Sequence, residues 1–420
     1  VSVDTTSFDI RDVEITRQGF SQTRLTPASA FTTTVDDLDA AVYSFTAPGG
    51  TFDTTENGTW IVSLREGEIQ DNLGLYSAPR ELGTFTVSIA DPNVIFVNTT
   101  IDSVDIDPMD GRADDGATTV DGDIRVSLRA AIMHASTTDA ATTIVVPDGT
   151  YVLTRPGANE NGAATGDLDL TSSHGVTVIG GGAFQTVIDG QQLDRVFDVA
   201  VGASATLTGL TVQNGQGSQG GGINNLGTLT VDGVLVRDNQ AETAGGGIFS
   251  SGMLSVLNSS VEDNQVASQF FAIGGGGLAI INGVPANASH QTTITDSSFV
   301  RNTSSLSGGG LLAVDTALTL QRVTLAENVA AGGDGGGLLI RHSTLDRQST
   351  LDRVTITDNS AGTVARGGGL FIDAPQDAVT LQNTVLAGNT AGFDADLSGQ
   401  FLSGGTNLIS QLSTDGLNLR

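Results

Sequence analysis

The sequence predicts an all-β protein in which a right-handed parallel β-helix, a solenoid, follows a small β-sandwich. Three observations lead to this prediction: a repeat from about residue 206 onward, an amphipathic helical segment before it, and alternating strands in the first 92 residues. The composition agrees, since 55 glycines and only 5% aromatic residues in 420 favour turns and stacked short strands.

The repeat consists of a glycine triplet followed by Ile or Leu, then short alternating strands, then an Asn. The triplets begin at Gly220, Gly245, Gly275, Gly308, Gly335 and Gly367, and the copies end at Asn239, Asn264, Asn302, Asn328, Asn359 and Asn389. A period near 25 that lengthens by insertions is typical of a coil whose loops vary in length. Each Asn is expected to tolerate a left-handed turn and to hydrogen-bond to the Asn of the next coil, forming a ladder.

A helix is predicted near residues 128–135, at the start of the β-helix. Ser127 is a suitable N-cap, and Leu128, Ala131, Ile132 and Ala135 share one helical face. Such a helix is expected to cover the apolar end of the first coil. The β-helix is predicted to span residues 93–420, because Pro92 blocks the continuation of a central strand.

Residues 1–92 show the alternation of a β-sandwich, most clearly at 41–46, 58–64 and 82–90. The run TENGTWIVSLREGEIQDNLGLYSAPRELGTFTV resembles the last strands of bacterial immunoglobulin-like modules. Trp60, the only Trp, is expected to be a core residue of this domain.

Two motifs of the β-helix resemble known families. VSLRAAIMHAS is similar to the CSLREA-type segment that opens many secreted bacterial β-helix proteins, but departs from it at Val126, Ala130 and Ser136. The glycine triplets and the string from Phe299 to Asn302 resemble the repeats of polymorphic outer-membrane adhesins. The resemblance implies a structural or adhesive surface protein, a rigid rod that presents loops to a partner, and not an enzyme.

The charge limits the partners. The formal net charge is −29 and the sequence contains no lysine, which excludes recognition of nucleic acid or of anionic membranes. The chain has no cysteine and no long apolar run of membrane-spanning length. We expect an extracellular or cell-surface location and, as partner, a cell-surface glycan or protein or further copies of the chain.

An alternative function is that of a subunit of a self-assembling filament, sheath or surface layer. The chain ends at residues 417–420 directly after a strand-like coil, without a second amphipathic helix. An uncovered solenoid end exposes apolar residues and unpaired backbone groups. We expect a further segment, another domain or a neighbouring copy to cover it, and the last case would give a homo-oligomer with head-to-tail contacts.

An acidic loop before the helix predicts a calcium site. Closely spaced carboxylates around Gly turns supply the oxygens that Ca²⁺ prefers, although the spacing departs from the strict calcium-loop motif. The alternative is a solvated loop without an ion. The candidate ligands are Asp105, Asp107, Asp110, Asp114, Asp115, Asp121 and Asp123.

A second alternative function is that of a polysaccharide lyase or glycoside hydrolase, because β-helices carry such activities on clustered Asp residues. The candidates are Asp189, Asp194, Arg195 and Asp198 in the string IDGQQLDRVFD. Since this string also resembles a coil of the adhesive families, its charged residues are expected to pair at turns. The sequence therefore predicts no catalytic residues.

Overall fold

The computed structural model describes residues 4–25, 27–35, 38–52, 54–87, 89, 93–120, 122–157, 160–267, 273–282, 291–344 and 347–411. The chain divides into two compact units, Val1–Val94 and Ile95–Arg420.

The first unit is built from antiparallel strands. Its larger sheet contains, in spatial order, Phe20–Leu25, Val13–Arg17, Gly58–Leu64 and Arg80–Val87. A second sheet pairs Pro27–Val35 with Leu38–Phe45. Three short 3-10 helices span Thr5–Ser7, Pro48–Gly50 and Thr54–Glu56.

The core of the first unit forms around Trp60, as the sequence predicts. The Trp60 side chain is fully buried, stacks on Phe85 and donates its indole N–H to the carbonyl of Glu56 at 3.1 Å. Ile15 and Leu25 from neighbouring strands pack against it. Burial of the ring with its N–H satisfied makes Trp60 a core residue.

The second unit is a right-handed parallel β-helix, as predicted, with four parallel sheets that the chain visits in turn. Sheet 1 contains Val94–Phe96, Thr142–Val146, Val176–Gly180, Ser204–Thr208, Thr228–Asp232, Met253–Leu257, Gln291–Thr295, Ala317–Gln321, Ser349–Asp352, Val379–Gln382 and Leu402–Ser403. Sheet 2 contains Gly149–Val152, Thr186–Asp189, Thr211–Gln213, Leu235–Arg237, Ser260–Glu262, Ser298–Val300, Thr324–Ala326, Thr355–Thr357, Val385–Ala387 and Leu408–Ile409.

The other two sheets close the coil. Sheet 3 contains Gln216–Gln219, Gln240–Ala244, Gln265–Val266, Thr303–Ser304, Val329–Ala330 and Ser360–Ala361. Sheet 4 contains Leu168–Leu170, Phe197–Val199, Ile223–Asn225, Ile248–Ser250, Leu278–Ile281, Leu311–Val314, Leu338–Arg341, Leu370–Asp373 and Leu397–Ser398. Alternate residues of each strand point inward and form one apolar core along the coil.

A helix, Leu128–Ala135, packs on this core. Ser127 caps it by accepting a hydrogen bond from the Ala130 N–H at 3.0 Å. Leu128, Ala131 and Ile132 belong to the same apolar cluster as the first strands of the coil. In the described part of the chain, no helix has the length and apolar character needed to cross a membrane.

The predicted Asn ladder is confirmed. Each Asn donates its side-chain amide to the side-chain oxygen of the Asn one coil later, at 2.9–3.0 Å, from Asn239 to Asn389. Asn389 then donates to the carboxylate of Asp396 at 2.8 Å, which ends the ladder. All of these side chains are buried.

One expectation about the ladder is wrong. The left-handed backbone conformation belongs to the residue before the Asn, such as Asp238, Asp263 and Glu327, with φ of 54°, 55° and 56°. Asn214, which lies one coil before Asn239, is left-handed itself, at 53°, but the ladder bonds begin only at Asn239. The ladder Asn are therefore selected for their hydrogen bonds and not for turn geometry.

Each glycine of a triplet is required for a different reason, as Gly275–Gly277 show. Gly275 has a φ of +74°, a conformation that favours glycine. A Cβ on Gly276 would lie 2.3 Å from the carbonyl oxygen of Gly309 in the next coil, and one on Gly277 would lie 2.9 Å from the Asn302 amide. Close stacking of the coils thus excludes side chains at the triplets.

The expected covering of the C-terminal end remains a prediction. Leu408–Ile409 is the final strand that the structure describes, and residues 412–420 lie outside the described residues.

Candidate functional site

A row of polar residues lies on the outer face of sheet 4 where the β-helix begins. Asp169, Asp198 and Asn224 are the middle residues of three successive parallel strands and are in register with one another. Their strand neighbours Leu168 and Phe197 point into the core, so the three polar side chains face outward. Stacking of coils thus brings together carboxylates 29 positions apart in the sequence.

Two further carboxylates and one arginine complete the group, which we call the acidic cluster: Asp167, Asp169, Asp194, Arg195 and Asp198. The Arg195 guanidinium donates a hydrogen bond to Asp167 and lies 3.4 Å from the Asp198 carboxylate. One oxygen each from Asp167, Asp169 and Asp198 lies within 4.8 Å of the others. Two of the four carboxylates, Asp167 and Asp198, therefore pair with the same guanidinium.

Burial raises the pKa values of the innermost carboxyls. Loss of solvent raises the pKa of Asp167 to about 7, although the charge of Arg195 opposes the shift. It likewise raises the pKa of Asp169 to about 6, against a hydrogen bond from the Ala163 N–H. Protonated and ionised carboxyls can therefore coexist in the cluster near neutral pH.

Arg195 keeps its proton. Burial alone lowers its pKa, but the carboxylates of Asp167 and Asp198 outweigh burial, and the pKa rises. A guanidinium held in this way donates hydrogen bonds and does not act as a base.

The polar row ends abruptly in the next coil. The register of Asp198 and Asn224 continues through Phe249, Ala279 and Leu312, each at most 5% exposed. Since the same position is apolar in the following coils, the fold itself does not require carboxylates there. The charged residues at the start of the row are therefore candidates for ligand binding.

A buried arginine connects the helix to the cluster. Arg129, 1% exposed, bonds to the Asp102 carboxylate at 2.6 Å. It also donates to the carbonyls of Ala163, Gly166 and Asp167 at 2.8–3.0 Å. Arg129 thereby holds the backbone segment that carries Asp167. It also holds Ala163, whose own N–H donates to the Asp169 carboxylate at 2.7 Å.

The cluster also offers the kind of ligand atoms that a hard cation prefers. All its potential ligands are oxygens, which Ca²⁺ prefers. Beside it, Asn224 donates to Asp198, while its side-chain oxygen is buried and accepts no hydrogen bond from the described residues. These residues fit a calcium ion.

Three of the four candidate catalytic residues from the sequence lie together in the structure, and the fourth lies apart. Asp194, Arg195 and Asp198 belong to the cluster. Asp189 does not, because it lies in sheet 2 and its carboxylate accepts hydrogen bonds from Gln213 and Asn214 at 2.8 Å. The sequence analysis missed Asp167 and Asp169, although the alternation in the string DLDL one coil earlier was an available signal.

The acidic loop presents a different arrangement. Asp107, Asp110 and Asp114 accept hydrogen bonds from backbone N–H groups two residues ahead in the chain, and Asp115 pairs with Arg125 at 2.6 Å. Thr119 accepts a hydrogen bond from the Asp123 N–H, and Asp121 lies outside the described residues. Over its described residues, this loop brings no three ligand atoms within 4.8 Å of one another.

Asp105 is the exception within the loop. It is 4% exposed, one of its oxygens is buried without a hydrogen-bond partner, and burial raises its pKa to about 6. The predicted calcium site in this loop remains a prediction, with Asp105 as the residue that favours it.

Comparison with known proteins identifies similar folds. No family model and no curated protein matches the chain. A pectate lyase, Pel9A, is similar over 76% of this chain and 77% of its own, with 16% identity and a TM-score of 0.45. The A-module of the mannuronan C-5 epimerase AlgE4 of Azotobacter vinelandii is similar over 69% of this chain and 93% of its own, with 15% identity and a TM-score of 0.36.

This comparison corrects the expectation that the chain is not an enzyme. Both of these solved structures are enzymes, a lyase and an epimerase, and neither is a non-enzymatic β-helix of the kind that the sequence analysis predicted. That prediction rested on the expectation that the Asp and Arg residues pair at turns, whereas the structure places Arg195 and Asp198 in a partly buried cluster with Asp167 and Asp169. The likeness concerns the fold, and the activities named are those of the two enzymes.

Proposed function

We propose that the chain is a polysaccharide-active enzyme and that the acidic cluster is its active site. The observation that carries this proposal is the convergence of the Asp167, Asp169 and Asp198 carboxylates within 4.8 Å, beside the guanidinium of Arg195. Cleavage of a glycosidic bond needs one group that donates a proton and another that accepts one or attacks. Two carboxyl groups whose surroundings give them different pKa values can fill both roles.

Each residue has a specific role in this proposal. Asp167, with its pKa raised to about 7, holds a proton near neutral pH and is the proton donor. Asp198 is more accessible, with 15% of its side chain exposed, and acts on the sugar from the solvent side. Arg195 orients both carboxylates and donates hydrogen bonds to the substrate.

Calcium belongs to this proposal as a cofactor of the same cluster. Asp169 and Asp198 would hold the ion, with the side-chain oxygen of Asn224 beside them, while the neighbouring Asp167 keeps its proton. When bound, a calcium ion offsets the charge of the carboxylates and lets acidic sugar residues approach. A polysaccharide partner also suits the extracellular or cell-surface location inferred from the sequence.

Replacing Asp198 with Asn should lower the rate of polysaccharide cleavage by about 100-fold or more, because removal of one acid–base group typically has this effect. The assay follows new reducing ends and ultraviolet absorbance of unsaturated products, on a panel of neutral and uronate-containing polysaccharides. Unsaturated products identify a lyase, and their absence with new reducing ends identifies a hydrolase.

The matched control for this variant is Asp373→Asn. Asp373 also belongs to a strand of sheet 4, but its side chain is exposed and pairs with Arg341 at 2.8 Å, away from the acidic cluster. It should retain full activity. Wild-type rates in Asp198→Asn, or no cleavage of any polysaccharide by the wild-type protein, would contradict the proposal.

Calcium should stabilise the protein most at neutral pH. When a chelator removes calcium, the raised pKa of Asp167 means that its carboxyl binds a proton more tightly in the folded state than in the unfolded state. Its contribution to stability is therefore complete below the ordinary pKa of 3.8 and is lost as the pH rises through about 7. Calcium should reverse this loss, measured as melting temperature against pH with and without the ion.

Two variants locate the calcium effect. Asp198→Asn should reduce the calcium-induced shift if the ion binds in the acidic cluster, and Asp105→Asn should reduce it if the ion binds in the acidic loop. A melting temperature that millimolar calcium leaves unchanged at every pH would eliminate both sites.

A further inference from the structure

A groove of about 550 Å³ lies on the outer surface where the coil passes from sheet 1 to sheet 2. Its floor is formed by residues in register on successive sheet 2 strands: Leu235, Ser260, Ser298 and Thr324. The intervening residues, such as Val261 and Phe299, point into the core, so the hydroxyls face outward. The groove thus runs along the β-helix axis, with Leu235 at one end and a hydroxyl on each of the next three coils.

Phe184 stands at one side of this groove and is 79% exposed. It belongs to the link between strands Val176–Gly180 and Thr186–Asp189, which has five residues where the next coils have two. Among the sheet 1 to sheet 2 connections that the structure describes, it is the longest, and only the final one, between Leu402–Ser403 and Leu408–Ile409, also exceeds two residues. The longer link places an aromatic ring where the following coils have only a short turn.

Hydrogen bonds hold this link in position. The Gly182 N–H donates to the Gly209 carbonyl at 2.8 Å, and the Gly181 N–H donates to the Thr186 hydroxyl at 2.8 Å. The Thr211 hydroxyl donates to the Ala183 carbonyl. A link fixed on both sides of Phe184 presents the ring to solvent with little freedom to fold back onto the surface.

The charges around the groove are paired. Arg322 forms two hydrogen bonds with the Asp296 carboxylate, at 2.5 and 2.6 Å, and the Asn258 amide binds Asp232 at 2.8 Å. The Ser260 and Ser298 hydroxyls share one hydrogen bond at 3.0 Å, which leaves each of them with further hydrogen-bonding capacity. On a chain with a formal charge of −29, the groups that face a ligand are therefore an aromatic ring and the hydroxyls of Ser260, Ser298 and Thr324.

We propose that this groove binds an extended polysaccharide chain, at a site separate from the acidic cluster. The apolar face of a sugar ring stacks on an exposed aromatic ring, and its hydroxyls exchange hydrogen bonds with serine and threonine side chains. Coils about 4.8 Å apart repeat these partners at a spacing similar to the length of one sugar unit. The proposal does not require catalysis, so it stands or falls independently of the acidic cluster.

The test is affinity electrophoresis in gels containing the same panel of polysaccharides, in the Asp198→Asn background so that the chains stay intact. Phe184→Ala should weaken binding of at least one polysaccharide about three- to tenfold, and Phe184→Tyr should retain it. Phe393→Ala is the matched control, because Phe393 is 59% exposed on another part of the coil.

Binding that Phe184→Ala leaves unchanged, or that Phe393→Ala weakens equally, would overturn the groove assignment. So would the absence of binding to every polysaccharide tested, which would leave Phe184 as a contact for a protein. A second variant, Ser298→Arg, fills the floor of the groove and should weaken the same polysaccharide as Phe184→Ala.

Discussion

Replacing Arg129 with Met should lower the free energy of unfolding of the β-helix by about 3–5 kcal/mol, because it leaves a buried charge without its partner. Arg129 and Asp102 have side chains 0% and 3% exposed, and no other cation contacts Asp102 among the described residues. The change also leaves the carbonyls of Ala163 and Gly166 without the donor they have in the wild-type chain.

Urea denaturation followed by circular dichroism measures this effect. Arg301→Met is the matched control, since Arg301 pairs with Asp263 at the surface and exposed pairs contribute about 0–1 kcal/mol. The double variant Arg129→Met with Asp102→Asn should recover part of the loss, because the stranded carboxylate is then neutral. If Arg129→Met unfolds at the same urea concentration as the wild type, the pair does not stabilise the fold.

Arg129 also connects stability to the proposed site. Its guanidinium donates a hydrogen bond to the backbone carbonyl of Asp167. Arg129→Lys keeps the charge but loses the planar guanidinium, so it should reduce the free energy of calcium binding more than the free energy of unfolding. Equal losses in both would indicate a purely structural role.

Replacing Asn328 with Leu should destabilise the β-helix by about 3 kcal/mol or more. The side-chain oxygen of Asn328 accepts hydrogen bonds from the backbone and side chain of Asn302, at 2.9 and 3.0 Å. Its amide donates to the Phe299 carbonyl and to Asn359, both at 2.9 Å. Leu has a similar volume, so the loss comes from buried groups left unsatisfied, at about 1–3 kcal/mol each.

The matched control is Thr324→Leu in the same coil, where the replaced side chain is exposed and no buried group loses a partner. It should change stability by about 0.5 kcal/mol or less. A small effect in both variants would mean that the Asn ladder does not stabilise the coil, and that another feature of the repeat selects the Asn.

The candidate site was only half visible in the sequence. Asp194, Arg195 and Asp198 are neighbours in the chain and were identified together. Asp167 and Asp169 belong to the previous coil, in a region before the regular repeat begins, where no period indicates which residues will stack. The density of carboxylates in the acidic loop suggested the calcium site there, but each of Asp107, Asp110 and Asp114 binds its own backbone.

The sequence by itself determined the β-helix, its capping helix and the Asn ladder, because these arise from local patterns: a repeated triplet, helical periodicity and a recurring residue at the end of each coil. Only the tertiary structure decided which residues form a site. Register between strands that are 29 residues apart depends on the lengths of the intervening turns, and burial, which sets the pKa values of Asp167 and Asp169, depends on what packs around them.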